Sequence, residues 1–115
     1  MIEFFRQLLG IKPVIDFEYL VNAGAVLLDV RNFEEYQEGH IRGAINVPID
    51  KLKTDVSAIP NKQQPIIACC SNGTRSAVAT SLLIANGYQY VYNGGRWLSL
   101  QRKLNRKGGR IALSE

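Results

Sequence analysis

The run Pro65–Cys70, Pro-Ile-Ile-Ala-Cys-Cys, constrains this chain more than any other segment. It carries no charge and is apolar at odd and even positions alike, the pattern of a strand buried on both faces. Such strands sit centrally in parallel sheets, and parallel neighbours need crossover connections, usually helical. The rest of the chain supplies them. Asp16 can cap a short helix, Phe17–Asn22, that Gly24 stops. Ala25–Val30 is an apolar run that breaks into charge at Asp29 and Arg31, a buried strand ending in a functional loop. Asn32 caps Phe33–Gln37, Gly39 ends that turn, and Ala44–Val47 is a second short strand closed by Pro48. Residues 49–58 hold one or two helical turns around Leu52 and Val56, and Pro60–Pro65 is a polar turn. The best helix is Arg75–Asn86, with Val78, Leu82 and Ala85 on one face, Ala79 and Leu83 adjoining, and Gly87 as terminator. Tyr88–Tyr92 follows as a strand, then Gly94-Gly95 and a last helix from about Trp97. This alternation predicts an α/β fold, a central, mainly parallel sheet flanked by helices on both faces.

Size and composition close off other classes. A chain of 115 residues fits one domain and can bury one core. No stretch approaches the 18 or so apolar residues of a membrane span. Two adjacent cysteines make no disulfide framework, and with a single histidine they are too few for a structural zinc site, so no metal is expected. The net charge of +4 belongs to the C-terminus, where Arg102, Lys103, Arg106, Lys107 and Arg110 gather. Without them, positions 1–101 hold nine basic and nine acidic residues. A nucleic-acid domain is expected to carry its charge on a folded face with aromatics between, so no nucleic acid is expected as partner. Ile2, Phe5, Leu8 and Leu9 share a helical face beside Phe4, which reads as a packing helix. Glu3, Arg6 and Gln7 interrupt any export-signal core, and unpaired thiols fit a reducing compartment, so the expectation is cytoplasmic. Three parts emerge: an amphipathic helix over 1–12, a domain over 13–106, and a basic, flexible tail over 107–115.

Chemistry concentrates where the strongest strand meets the strongest helix. Ligands of such sheets bind beyond the carboxyl ends of the strands. Between Cys70 and the helix runs Ser71, Asn72, Gly73, Thr74 and Arg75, then Ser76. A loop curling that tightly points successive N–H groups at its centre, and Gly73 permits the backbone angles required. The helix N-terminus and Arg75 add positive charge. If the anion held there is the Cys70 thiolate, its pKa falls and a nucleophile arises without a histidine base. Equally, a lone thiol at a strand end can be only a small buried hydrophobe.

The surrounding residues tip that balance. Leu28-Asp29-Val30-Arg31, then Phe33-Glu34-Glu35-Tyr36, then Gly39-His40-Ile41-Arg42-Gly43-Ala44-Ile45-Asn46-Val47-Pro48 resembles the signature of the rhodanese family. Cys70, Gly73, Arg75 and Ser76 match that family's Cys-x-x-Gly-x-Arg-Ser, and Asn93-Gly94-Gly95 with Trp97 resembles its closing segment. The likeness covers about residues 14–105. It implies a single-domain rhodanese, a sulfurtransferase moving sulfane sulfur from thiosulfate or a similar donor, through a Cys70 persulfide, to a thiol, a cyanide or a protein sulfur acceptor. It implies no metal and no organic cofactor. Residues Ser71 to Ser76 would then hold the substrate anion.

The remaining residues take supporting roles. Asp29 and Arg31 match the family's Asp-x-Arg and read better as an ion pair or loop clamp than as substrate contacts. His40 reads as a hydrogen-bonding loop anchor, since a thiolate of low pKa needs no base. Glu34 could orient Arg31 or His40. Cys69 should face the core, because successive strand side chains point to opposite faces. The loop's only charge is Arg75, sparse for a dianion such as thiosulfate. Two rival functions remain. A non-catalytic rhodanese-like module would bind a protein partner only. A cysteine-dependent phosphatase or arsenate reductase would use the Cys-x5-Arg spacing from Cys69 to Arg75.

Overall fold

The computed structural model describes residues 14–105; the expected helix over 1–12 and tail over 107–115 lie outside them. Four strands form the sheet: β1 (Val26–Asp29), β2 (Ile45–Asn46), β3 (Ile66–Cys70) and β4 (Val91–Arg96). Their order is β2-β1-β3-β4 and all three pairings are parallel. Five helices connect and flank them: α1 (Phe17–Asn22), α2 (Phe33–Glu38), α3 (Ile49–Thr54), α4 (Thr74–Ala85) and α5 (Trp97–Asn105). The chain leaves β1 toward β2 on one side and later returns to β3 on the other. The gap between the carboxyl ends of β1 and β3 is therefore the topological switch point, where open α/β sheets bind ligands.

Alternation along β3 divides the core into two layers. Ile66, Ala68 and Cys70 join Leu28 and Val30 of the β1 segment, Leu52 of α3, and Ala79 and Leu83 of α4. Ile67 and Cys69 join Leu27, Phe17 and Val21 of α1, and Leu100 and Leu104 of α5. All five β3 residues are fully buried, which is why the strand has no polar face. Each large aliphatic side chain so buried contributes roughly 1.5–3 kcal/mol.

Local signals set the helix ends. The Tyr19 N–H donates to Asp16 Oδ1 at 3.0 Å, and the Asn32 N–H donates to Glu35 Oε1 at 3.0 Å. Each satisfies a backbone donor that the helix start leaves open.

Two expectations need correction. The strand expected over Tyr88–Tyr92 lies instead at Val91–Arg96. Tyr88 is a buried anchor whose hydroxyl donates to the carbonyls of Val56 and Ile59, so it belongs to the turn. The glycines expected to follow the strand lie within it, through a bulge: Ala68 pairs with Asn93, but Cys69 pairs with Gly95. Gly94 is the residue squeezed out of register. A Cβ there would meet Ile67 Cγ2 at 2.8 Å and Leu100 Cδ2 at 3.0 Å, so only glycine lets β4 pack this closely. The inward face of α4 is also rotated from the one expected. Ser76, Ala79 and Leu83 are buried, while Val78 is 44% exposed and Ala85 faces solvent. A buried serine defeats a purely apolar reading, and its hydrogen bonds at the strand end explain its burial.

Candidate active site

Cys70 closes β3, Ser71, Asn72 and Gly73 form the loop, and Thr74, Arg75 and Ser76 begin α4. Gly73 caps the helix at φ 87°, ψ −8°, in the left-handed region. A Cβ on Gly73 would find only Gly95 Cα at 3.7 Å, an ordinary contact. The demand for glycine there is torsional, not spatial.

That turn aims backbone donors at one atom. The N–H groups of Gly73 and Ser76 donate to Cys70 Sγ at 3.0 and 3.3 Å. Ser76 Oγ lies 3.3 Å from the same sulfur. The same hydroxyl also lies 2.7 Å from Asn93 Oδ1, the oxygen that accepts the Gly95 N–H at 2.9 Å. The bulge in β4 thus sets the residue that orients Ser76. Asn72 Oδ1 accepts the Thr74 N–H at 3.0 Å and holds the loop's exposed side in a tight turn.

The adjacent thiols feel opposite forces. Burial works to raise the Cys70 pKa, but hydrogen bonds from the Ser76 side chain and from the backbone of Ser76, Asn72 and Gly73 outweigh it. The net effect holds the Cys70 thiol below its ordinary range, because donors favour the thiolate. Burial pushes the Cys69 thiol far above the ordinary range, and the Asp29 charge adds to the rise despite Arg31. One can ionise; the other stays a thiol. Cys70 is nevertheless fully covered in this structure, while the loop residues Ser71, Asn72 and Thr74 are exposed.

Asp29, Arg31 and His40 form a second assembly beside the loop. Asp29 ends β1, and its carboxylate takes the Arg31 N–H at 3.0 Å, Nε at 3.0 Å and Nη2 at 2.8 Å. Arg31 Nη2 also donates to the Gly39 carbonyl at 2.6 Å, and its guanidinium lies 4.6 Å over the Trp97 ring. Asn46 Nδ2 bridges the carbonyls of Asp29 and Arg31 at 3.0 and 2.9 Å. Together they tie β1, β2, the end of α2 and the start of α5. His40 stacks on Tyr36 with ring centroids 3.8 Å apart, and its Nδ1 is 2.7 Å from the Tyr36 carbonyl.

The acid that reaches the loop is Glu35 of α2; its neighbour Glu34 is the one the sequence offers for Arg31 or His40. Arg75 Nη1 donates to Glu35 Oε1 at 2.8 Å and Nη2 to Oε2 at 3.2 Å. Arg75, expected to add positive charge to the loop, is thus paired with a carboxylate at the loop rim. Its second nitrogen also donates to Ser71 Oγ at 2.8 Å, which fixes the guanidinium along the loop rim. Sequence reasoning also passed over Ser76's partner Asn93 and the brace Asn46. Glu35 carried a signal: it stands at the third position of a helix capped by Asn32, where an acid folds back on the helix start. Asn46 and Asn93 stand within the segments that resemble the family signature, but nothing in the sequence assigns them these contacts.

Among the described residues, no three His, Cys, Asp or Glu side chains gather where they could hold a metal ion. No described helix is long and apolar enough to cross a membrane.

The chain is similar to known proteins in sequence and fold. The family model for the rhodanese-like domain matches residues 15–96. The thiosulfate sulfurtransferase PspE of Escherichia coli is 36% identical over 93 residues, spanning 80% of this chain and 88% of that protein. A tRNA uridine(34) hydroxylase of Buchnera aphidicola is 37% identical over 78 residues, covering 64% of this chain but 25% of that protein. A solved structure described as a rhodanese with anions from E. coli superposes with a TM-score of 0.61 at 34% identity. It covers 65% of this chain and 89% of that one.

Proposed function

This chain belongs to the rhodanese-like domain family, and from that premise we propose that it is a sulfurtransferase with Cys70 as its nucleophile. The observation that carries the reading is the convergence of the Gly73 and Ser76 N–H groups on Cys70 Sγ. Donors placed there favour the thiolate before the reaction and a sulfur anion after it. The Cys70 thiolate attacks the outer sulfur of thiosulfate. The S–S bond to the central sulfur breaks, sulfite leaves with the bonding pair, and Cys70 carries a persulfide anion. A thiol or cyanide then attacks the terminal sulfur, and the thiolate returns. Charge and electrons balance in both half-reactions, and neither requires a metal or an organic cofactor.

The other residues serve this cycle indirectly. Ser76 and Asn93 hold the donor side of the loop, while Asp29, Arg31 and His40 keep the β1–α2 side in place. A small protein sulfur acceptor is a further candidate, because the loop rim of Ser71, Asn72 and Thr74 faces solvent. A binding-only module has less support, since it has no need of a thiol held by two backbone donors.

Intact-protein mass spectrometry after incubation with thiosulfate tests the reading. The expected result is the gain of one sulfur atom, mapped to Cys70 and removed by cyanide or a thiol. An unchanged mass, or a sulfur mapped to Cys69, overturns it.

A further inference from the structure

Arg75 is the only charged residue between Cys70 and Ser76, so it alone supplies side-chain charge to the loop. That charge is answered on the spot. Both terminal nitrogens of the guanidinium meet both carboxylate oxygens of Glu35, and the carboxylate is itself pinned by the Asn32 N–H at 3.0 Å. The pair sits at the rim, with side chains 28% and 33% exposed. Hydrogen bonding and proximity within the pair hold the Glu35 carboxyl below its usual range and Arg75 above its own, so both stay ionised at neutral pH. Ser71, Asn72, Thr74 and Ser76 are neutral. The loop side chains together with Glu35 therefore sum to no net charge, and the Cys70 thiolate beneath is negative. A donor with two negative charges enters against repulsion that one with a single charge feels half as strongly.

We propose that Glu35 is a specificity-determining residue: by neutralising Arg75 at the mouth of the Cys70 loop, it turns the site from dianionic sulfur donors toward donors carrying one negative charge. This rests on the sulfurtransferase reading above. The favoured class comprises organic thiosulfonates and persulfides. With a thiosulfonate, the Cys70 thiolate takes the outer sulfur and an organic sulfinate leaves with the bonding pair. With a persulfide, a thiolate leaves. Each exchange moves one sulfur atom and conserves charge.

Thiosulfate and methanethiosulfonate make the matched probes. They offer the same outer sulfur and differ by one charge and a methyl group. The readout is the ratio of their kcat/KM values, thiosulfate over methanethiosulfonate, compared between variants so that intrinsic donor reactivity cancels. Glu35→Gln keeps the shape and an acceptor for the Asn32 N–H while leaving Arg75 uncompensated. It is expected to raise the ratio about three- to tenfold at low ionic strength, and added salt should shrink that gain. The double variant Glu35→Gln/Arg75→Gln restores the neutral rim and should return the ratio to the wild-type value. A ratio that stays level or falls in Glu35→Gln overturns the proposal. If neither donor leaves a persulfide on Cys70 of the unmodified protein, the sulfurtransferase reading itself fails and takes this inference with it. Persulfide formation with an unmoved ratio removes this inference alone.

Discussion

The two layers flanking β3 treat the same side chain in opposite ways. On the α1/α5 side, Cys69 is packed among Leu27, Ile67 and Leu100, with burial as the dominant force on its thiol. On the α3/α4 side, Cys70 is equally covered yet receives the Gly73 and Ser76 N–H groups. Burial alone therefore does not decide whether a cysteine is inert. Backbone direction decides it. The strand delivers its last side chain to the layer where a helix begins, and the unpaired N–H groups of that first turn need an acceptor. The neighbour one residue earlier faces the other layer, packed among Leu27, Ile67 and Leu100.

Exchanging the side chains is the bluntest way to break this contrast. Cys70→Ser should lower sulfur transfer by a factor of about a thousand or more, since no step remains without the nucleophile. Cys69→Ala should keep turnover within a few fold. Its cost should appear in denaturant unfolding instead, on the order of 1 kcal/mol from lost packing. Reversed roles would show that the longer loop read from Cys69 is the working one, and would reopen the phosphatase-like alternative.

A milder change acts on the loop and not on sulfur. Gly73→Ala meets no steric obstacle but forces a residue with a Cβ into φ 87°. Stability should fall by about 1–2 kcal/mol. If the turn relaxes, the Cys70 thiol should move back up toward its ordinary range, and persulfide formation near neutral pH should slow. An unchanged rate and unchanged stability would mean that the amides do not depend on this turn.

Much of this was legible in the residues. An uncharged strand ending at Cys70, a glycine three residues on and a helix at once afterward are local features, and local features survive folding. The caps Asp16 and Asn32 were visible for the same reason. What escaped depends on distant elements meeting. Glu34 and Glu35 are adjacent and chemically alike; only the rotation of α2 against α4 selects Glu35 for Arg75. Ser76 reads from the sequence as part of the anion-binding loop, but its tie to Asn93 does not, because Asn93 lies on β4 and is presented by a bulge. At that bulge Gly94 packs closely against Ile67 and Leu100, and hydrophobic periodicity does not report so close an approach.

The contrast between the two thiols is tested most directly by site-resolved alkylation. At about pH 6 an unperturbed thiol is almost wholly protonated and reacts slowly. A lowered pKa leaves more thiolate at that pH, and the rate drops only as the pH falls through the lowered value. A raised pKa leaves less thiolate until the medium is strongly alkaline. Brief iodoacetamide treatment at about pH 6, read by fragmentation mass spectrometry that separates the adjacent residues, should therefore label Cys70 well ahead of Cys69. Equal labelling, or labelling of Cys69 first, would contradict the account.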